Sequence, residues 1–256
     1  MTSPLIAFNT ANLVGRVTGY RFKLDDWGKQ EKLTIQRTDP AEFAAICGEI
    51  ARCGYSAVEL WQAHCHPSTL TEARAAEYRQ ALASNRLTPV SLAAAMTDDT
   101  ARVCRMLGIP AICGGYWGSD RETSTRVMRS TGVLYNFENH GETSVDEIRN
   151  QVANGADGLA VALDTGWLGT QGMDAPATVR QLGRLIRHVH LKDVKAAGGH
   201  HTVKLGSGCV DIPGAVRELK SIGYTGVLSW EDEPEDRNPF DIAAEMRQYI
   251  LRLWNG

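Results

Sequence analysis

Four short segments in the second half of the chain each end in a side chain that binds divalent metal ions. They are Glu138 in FENH, Asp164 in LDTGW, His190 in HVHLKD and Glu231 in SWEDE, at successive intervals of 26, 26 and 41 residues. If each closes a strand of one parallel sheet, three carboxylates and an imidazole meet at one point. Carboxylates packed that closely repel each other unless a cation neutralises them. Three oxygen ligands and one nitrogen favour Mn²⁺, with Mg²⁺, Co²⁺ or Fe²⁺ as further options, over a thiolate-bound structural zinc. His188 shares a strand face with His190, so alternation alone does not choose between the two imidazoles.

The interval of 26 residues is one strand plus one helix, and the whole chain carries that rhythm. Apolar runs at 5–13, 55–61, 87–95, 109–115, 133–140, 158–168, 187–194 and 226–233 are each followed by an amphipathic segment. Strand–helix alternation implies a parallel sheet with right-handed crossovers. Eight such units predict an α/β fold, a (β/α)8 TIM barrel, as a single catalytic domain over residues 1–256. An open doubly wound sheet would place a Gly-rich turn after its first strand, and no G-x-G-x-x-G follows LIAFNTANLV. Pro40 and Gly54 bracket the helix PAEFAAICGEIARCG in the positions each residue suits. The fourth helix, RETSTRVMRSTG, looks truncated. Residues 15–39 interrupt the rhythm as a long loop on the catalytic face, where a lid would sit.

Bulk properties exclude several classes. The net charge of −3 gives no footprint for nucleic acid or anionic membrane. Six cysteines without a C-x-x-C pair read as reduced thiols. There is no basic, apolar leader at the N-terminus and no apolar run of about 20 residues. The expectation is a soluble, cytoplasmic protein.

In this order, ENHG, LDTGW, HVHLKD, KLGSGCVD and GYTGVLSWEDEP resemble the xylose-isomerase-like barrel family. That family includes sugar-phosphate isomerases and epimerases, ketose 3-epimerases, inosose dehydratase and catalytic subunits of C-glycoside deglycosidases. The resemblance implies one divalent ion held by Glu138, Asp164, His190 and Glu231, which selects His190 over His188 and leaves His188 to the core. It implies a small sugar or keto-sugar substrate that loses a proton beside its carbonyl through a metal-stabilised enediolate. Glu138 and Glu231 then also shuttle protons in an isomerase or epimerase. The ketose 3-epimerases commonly carry a histidine three residues beyond the ligand aspartate, where this chain has Trp167. His140, two residues beyond Glu138 and on its strand face, becomes a candidate base, which suits a lyase of the same family. An endonuclease IV-like nuclease would need more histidine ligands and a basic surface. A non-catalytic chain working with a heteromeric partner, or a homo-oligomer, is a further option.

Other residues are candidates for substrate contact. Glu59, Trp61, His64 and His66 fall at or just beyond the end of the second strand; His64, Cys65 and His66 are too close in sequence to wrap one zinc ion. Trp61, Trp117 and Trp167 suit stacking on a sugar face. Lys192 and Asp193 follow the ligand histidine and should contact the ligands or the substrate. Lys204 and Gly206–Gly208 offer a phosphate-binding loop or a flexible one.

Overall fold

The computed structural model describes residues 4–256. Its barrel strands are β1 (Leu5–Asn9), β2 (Ala57–Trp61), β3 (Thr88–Ala93), β4 (Ala111–Gly114), β5 (Leu134–Glu138), β6 (Ala160–Asp164), β7 (Ile186–Leu191) and β8 (Val227–Trp230). The helices are α1 (Trp27–Arg37), α2 (Pro40–Arg52), α3 (Glu72–Ser84), α4 (Asp98–Leu107), α5 (Arg121–Thr131), α6 (Val145–Gln151), α7 (Thr165–Thr170), α8 (Ala175–Leu182), α9 (Ile212–Ser221) and α10 (Ala243–Asn255). All eight strands are parallel and sequential neighbours pair, with β1 closing onto β8. The fold is the single-domain (β/α)8 barrel that the alternation predicts. No helix among the described residues is long and apolar enough to cross a membrane.

The strand register sets the site. Glu138 pairs with Ala162, so Asp164 lies two residues further along its strand. Asp164 pairs directly with His190, and His190 with Ser229, so Glu231 is again two residues on. The offsets of two, zero and two are even, and even offsets keep all four side chains on the inner face. The climb along the sheet follows from the tilt of strands in a closed barrel. Inside, small residues fill the bottom (Ala7, Ala57 and Val90, with Val227 beside them). Above them the interior turns polar, with Asn9, Glu59, Ser91, Asn136, His188 and Ser229 all buried.

Local sequence explains the helices. Asp39 caps α2 by accepting the Glu42 N–H at 2.8 Å, with Pro40 at the first position. The fourth unit's helix, α5, is a full 11 residues and not truncated. Its Ser/Thr-rich sequence hides well-defined ends: Asp120 caps the N-terminus and Gly132 closes it at φ +75°. Phe43 of α2 stacks on Tyr78 of α3 with centroids 3.9 Å apart, joining neighbouring helices of the outer ring.

Two segments depart from a plain loop. Residues 15–39 contain α1 as well as 3₁₀ turns. The insert is tied down at Trp27, which meets Trp61 with centroids 5.2 Å apart, and at Glu31, which accepts from Gln62 at 2.9 Å. After β7, Asp193–Val194 and Thr202–Val203 form a small antiparallel hairpin. The buried Asp193 carboxylate accepts the N–H groups of Gly206, Gly208 and Val210 at 2.9, 2.9 and 3.1 Å. Lys204 pairs with Glu245. The loop that looked like a phosphate cradle therefore spends its amides on Asp193 and its lysine on α10.

That anchor gives a stability test. Asp193→Ala should lower the unfolding free energy by about 2–3 kcal/mol, because three amides lose a charged acceptor. Gly208→Ala should also destabilise, since a Cβ there collides with the Val194 carbonyl. Urea midpoints equal to the parent protein's would contradict this account of the loop.

Candidate active site

Glu138, Asp164, His190 and Glu231 converge at the C-terminal mouth of the barrel, each with a ligand atom within 4.8 Å of the others. His190 Nδ1 lies 2.7 Å from Glu138 Oε1 and 3.3 Å from Glu231 Oε2. Asp164 Oδ1 caps α7 by accepting the Trp167 N–H at 2.9 Å. Asp164 Oδ2 and Glu231 Oε2 are buried and accept no hydrogen bond. The Lys192 ammonium faces both, at 3.3 and 3.1 Å, and bonds Glu233 Oε2 at 2.7 Å.

Beneath this tier lies a second one. Glu59 Oε2 is 3.0 Å from His190 Nε2 and 3.0 Å from His188 Nε2. Asn9 donates its amide to Glu231 Oε1 at 2.9 Å, within reach of Glu59 Oε2 at 3.4 Å. A carboxylate behind a ligand imidazole fixes its orientation and raises its basicity. Glu59 is placed to do this for His190.

Charge decides what the cluster can hold. Burial opposes ionisation at every group, yet close partners prevail at most. Asp164 is pushed up by burial but pulled down to about 2 by Lys192 and His190. Glu138 and Glu59 also end below the usual range, held there by His190 with His140 and with His188 respectively. Lys192 and His190 are held well above theirs by the surrounding carboxylates, and His188 rises to about 10 beside Cys113 and Glu59. Glu231 goes the other way: burial, with Glu233 and Glu138 nearby, outweighs Lys192 and His190 and raises it. Five carboxylates (Glu59, Glu138, Asp164, Glu231, Glu233) face three bases (Lys192, His188, His190). Fully ionised, they leave an excess of two negative charges. That excess, two carboxylate oxygens without hydrogen bonds and an O₃N donor set fit one divalent cation.

A cavity of about 620 Å³ opens over the cluster. Glu138, His140, Lys192, Glu231, Glu233 and His200 contribute its polar wall, and Trp27, Trp61, Trp117 and Trp167 line it. The insert covers one side through Leu24, Trp27 and Glu31. His140 Nδ1 lies 3.1 Å from the Glu138 carbonyl, which can only accept, so Nδ1 donates there and Nε2 is the ring nitrogen left to exchange a proton. That Nε2 is 3.8 Å from Glu138 Oε2.

The sequence-derived candidates thus separate into groups. Glu138, Asp164, His190 and Glu231 come together; His140, Trp61, Trp167 and Lys192 line the cavity above them. Glu59 lies below the ligand cluster, away from the cavity wall. His64 and His66 are elsewhere. His64 is buried behind the insert, where burial drops it to about 3. His66 bonds Ser68 at 2.7 Å in a separate depression. A 3₁₀ turn, Gln62–His64, carries the chain away from the mouth after Trp61, with His64 as its last residue and His66 just beyond it. Asn9, Glu233, Trp27 and His200 were not singled out by sequence. Asn9 ends β1 and Glu233 follows β8, so the strand-end rule that picked out the four clustered residues would also have reached them.

A family model described as "Xylose isomerase-like TIM barrel" matches residues 47–253. Inosose dehydratase of Clostridium beijerinckii is 29% identical over 148 residues, covering 49% of each chain. Inosose dehydratase of Geobacillus thermodenitrificans is 32% identical over 111 residues, 36% of this chain and 37% of that one. The matched stretches thus span half or less of these curated relatives. Among solved structures, L-ribulose 3-epimerase superposes with a TM-score of 0.73 at 15% identity, covering 99% of this chain and 95% of that one. D-allulose 3-epimerase from Methylomonas sp., solved in complex with D-allulose, gives 0.70 at 14% identity and 98% coverage of both. The probable 3-DHS dehydratase AsbF from Bacillus anthracis gives 0.66 at 14% identity and 99% coverage of both. At such identities these structures attest the shared fold.

Two measurements check the geometry. Glu59→Gln should weaken Mn²⁺ binding about 10- to 100-fold in calorimetry, whereas Glu138→Ala should remove a direct ligand and abolish it. Unchanged affinity in both would contradict the two-tier arrangement. Separately, His64 near 3 in the folded chain, against about 6.5 when unfolded, means the unfolded state takes up the proton first. Its contribution is complete above about pH 6.5 and is lost as pH falls towards 3, at up to about 1.4 kcal/mol per pH unit. His64→Leu should flatten the fall in unfolding free energy between pH 6.5 and 4.5. An identical slope in the variant would be the contrary result.

Proposed function

The chain belongs to the xylose isomerase-like TIM barrel family, and from that membership and the site we propose a metal-dependent enzyme that removes a proton beside the carbonyl of a sugar or cyclic polyol ketone. The observation that carries the reading is the buried Glu138–Asp164–His190–Glu231 cluster beneath a tryptophan-lined cavity. Held by those four residues, a divalent cation, Mn²⁺ by donor type with Mg²⁺ or Co²⁺ as options, supplies Lewis-acid polarisation of a carbonyl and compensates developing negative charge. The protein's own groups supply the rest. Glu138 and Glu231 border the space where the substrate carbon sits and can take up and return a proton. Lys192 brings a fixed cation to the same wall, against Asp164, Glu231 and Glu233. Trp61 and Trp167 offer flat apolar faces for the C–H side of a ring. The α1 cover over one side limits water access, in the manner of a lid.

Proton return to the carbon gives isomerisation or epimerisation. A second reading, elimination of a group β to the carbonyl by a lyase or dehydratase, is favoured by one observation. His140 lines the cavity with Nδ1 engaged by the Glu138 carbonyl, which leaves Nε2 as a proton-transfer group distinct from the paired glutamates. The names of the curated relatives, inosose dehydratases, agree with it, and the two readings share their first step.

Incubating Mn²⁺-loaded protein with inosose and with D-allulose in D₂O separates them by NMR. Deuterium in a recovered or epimerised sugar marks proton return, and a dehydrated product marks elimination. Glu138→Gln should abolish exchange. His140→Asn should retain metal and lower the elimination rate by about 10²- to 10⁴-fold. No exchange and no product with either ketone would contradict the proposal.

A further inference from the structure

The loop joining Asp193–Val194 to Thr202–Val203 is pinned onto α7. Gly198 donates its N–H to the Thr170 carbonyl at 2.8 Å. The loop delivers His200 over the catalytic mouth, where its ring stacks on Trp167 with centroids 3.7 Å apart and planes 15° from parallel. His200 Nδ1 is 2.8 Å from Thr170 Oγ1. Trp167 and Thr170 are three residues apart on one helical face, so a single turn of α7 holds the imidazole by its flat side and by one edge.

The surroundings fix the tautomer. Thr170 Oγ1 also faces two carbonyl oxygens, Gly166 at 3.1 Å and Gly199 at 3.3 Å. Carbonyls only accept, so the hydroxyl proton goes to one of them and Oγ1 accepts from His200 Nδ1–H. The lone pair is then on Nε2. That nitrogen is shut off from water with no hydrogen-bond partner, on a residue that lines the cavity over the cluster. Burial, with the Lys192 charge nearby, lowers the imidazole to about 3 and keeps it neutral. A buried acceptor without a donor calls for an explanation, and a donor arriving with the substrate supplies one.

We infer that His200 Nε2 accepts a hydrogen bond from a hydroxyl group of the bound substrate, with Trp167 and Thr170 as its positioning residues. This rests on the reading of the cavity as a site for polyhydroxy ketones. It makes α7 a shared strut: Asp164 caps its start and belongs to the ligand cluster, while Thr170 at its end orients the hydroxyl acceptor. A ring hydroxyl gripped by His200 fixes how the sugar turns over the carboxylates, so His200 sets which carbon is presented to Glu138 and Glu231.

The test uses protein labelled with ¹⁵N-histidine and loaded with diamagnetic Mg²⁺, its His200 signals assigned by comparison with His200→Ala. Two-bond ¹H–¹⁵N spectra should show Nδ1 protonated and Nε2 bare. Titration with inosose or D-allulose should shift the Nε2 resonance, and His200→Ala should bind that sugar roughly ten-fold more weakly, the value of one hydrogen bond. Thr170→Val should mix the tautomers and weaken binding less. A protonated Nε2, no shift with either sugar at its solubility limit, or unchanged affinity in His200→Ala would each overturn the inference. Sugar binding through His200 without proton exchange in D₂O would leave it standing and remove the functional reading instead.

Discussion

Five carboxylates and three bases share the upper interior of this barrel, and the imbalance between them governs the rest of the structure. Isolated buried carboxylates are costly, so each has found a partner: Glu59 its two histidines, Glu138 the His190 ring, Asp164 the amide of Trp167, and Glu231 the amide of Asn9. Lys192, fully buried, touches three of the acids at once. Even so, Glu59 Oε1, Asp164 Oδ2 and Glu231 Oε2 accept no hydrogen bond, and the Glu231 carboxyl is pushed up by burial. Such a cluster is a poor source of stability. Its form is that of a place prepared for positive charge.

The barrel makes this arrangement affordable through geometry. Closed parallel strands leave no edge, and even register offsets send Glu138, Asp164, His190 and Glu231 inward while apolar neighbours such as Phe137, Leu163, Val189 and Trp230 pack outward against the helices. Small residues at the bottom let polar groups stack above them. The tiers are linked, because Glu59 bridges His188 and His190 and so couples the middle of the barrel to its mouth. Asp193, next to Lys192 but facing away, secures residues 206–210, which follow the hairpin that carries His200.

Much of this was legible in the sequence for a definite reason. Strand period and βα length are local properties, so the eight units, the inward face and the convergence of the four strand-end residues follow from spacing. What spacing cannot supply is direction after a strand ends. Glu59, Trp61, His64 and His66 look alike as a cluster in WQAHCHP and its approach, yet only Trp61 reaches the cavity, because one 3₁₀ turn carries the two histidines away. The insert at 15–39 reads as a polar loop, since α1 has little apolar periodicity and is held through single contacts such as Trp27 on Trp61. His200 was invisible because its role depends on a loop folding back across α7. Glu59 was found as a polar residue at a strand end, but its depth below the ligands depends on packing that spacing does not encode.

The claim on which all of this depends is that the four strand-end residues form one metal centre with His190 as its sole imidazole. Pulsed electron paramagnetic resonance on protein titrated with Mn²⁺ and labelled with ¹⁵N-histidine measures that directly. The account predicts one bound ion coupled to a single histidine nitrogen, with the coupling lost in His190→Gln and kept in His188→Gln. No bound Mn²⁺, or a histidine coupling that survives in His190→Gln, would contradict it.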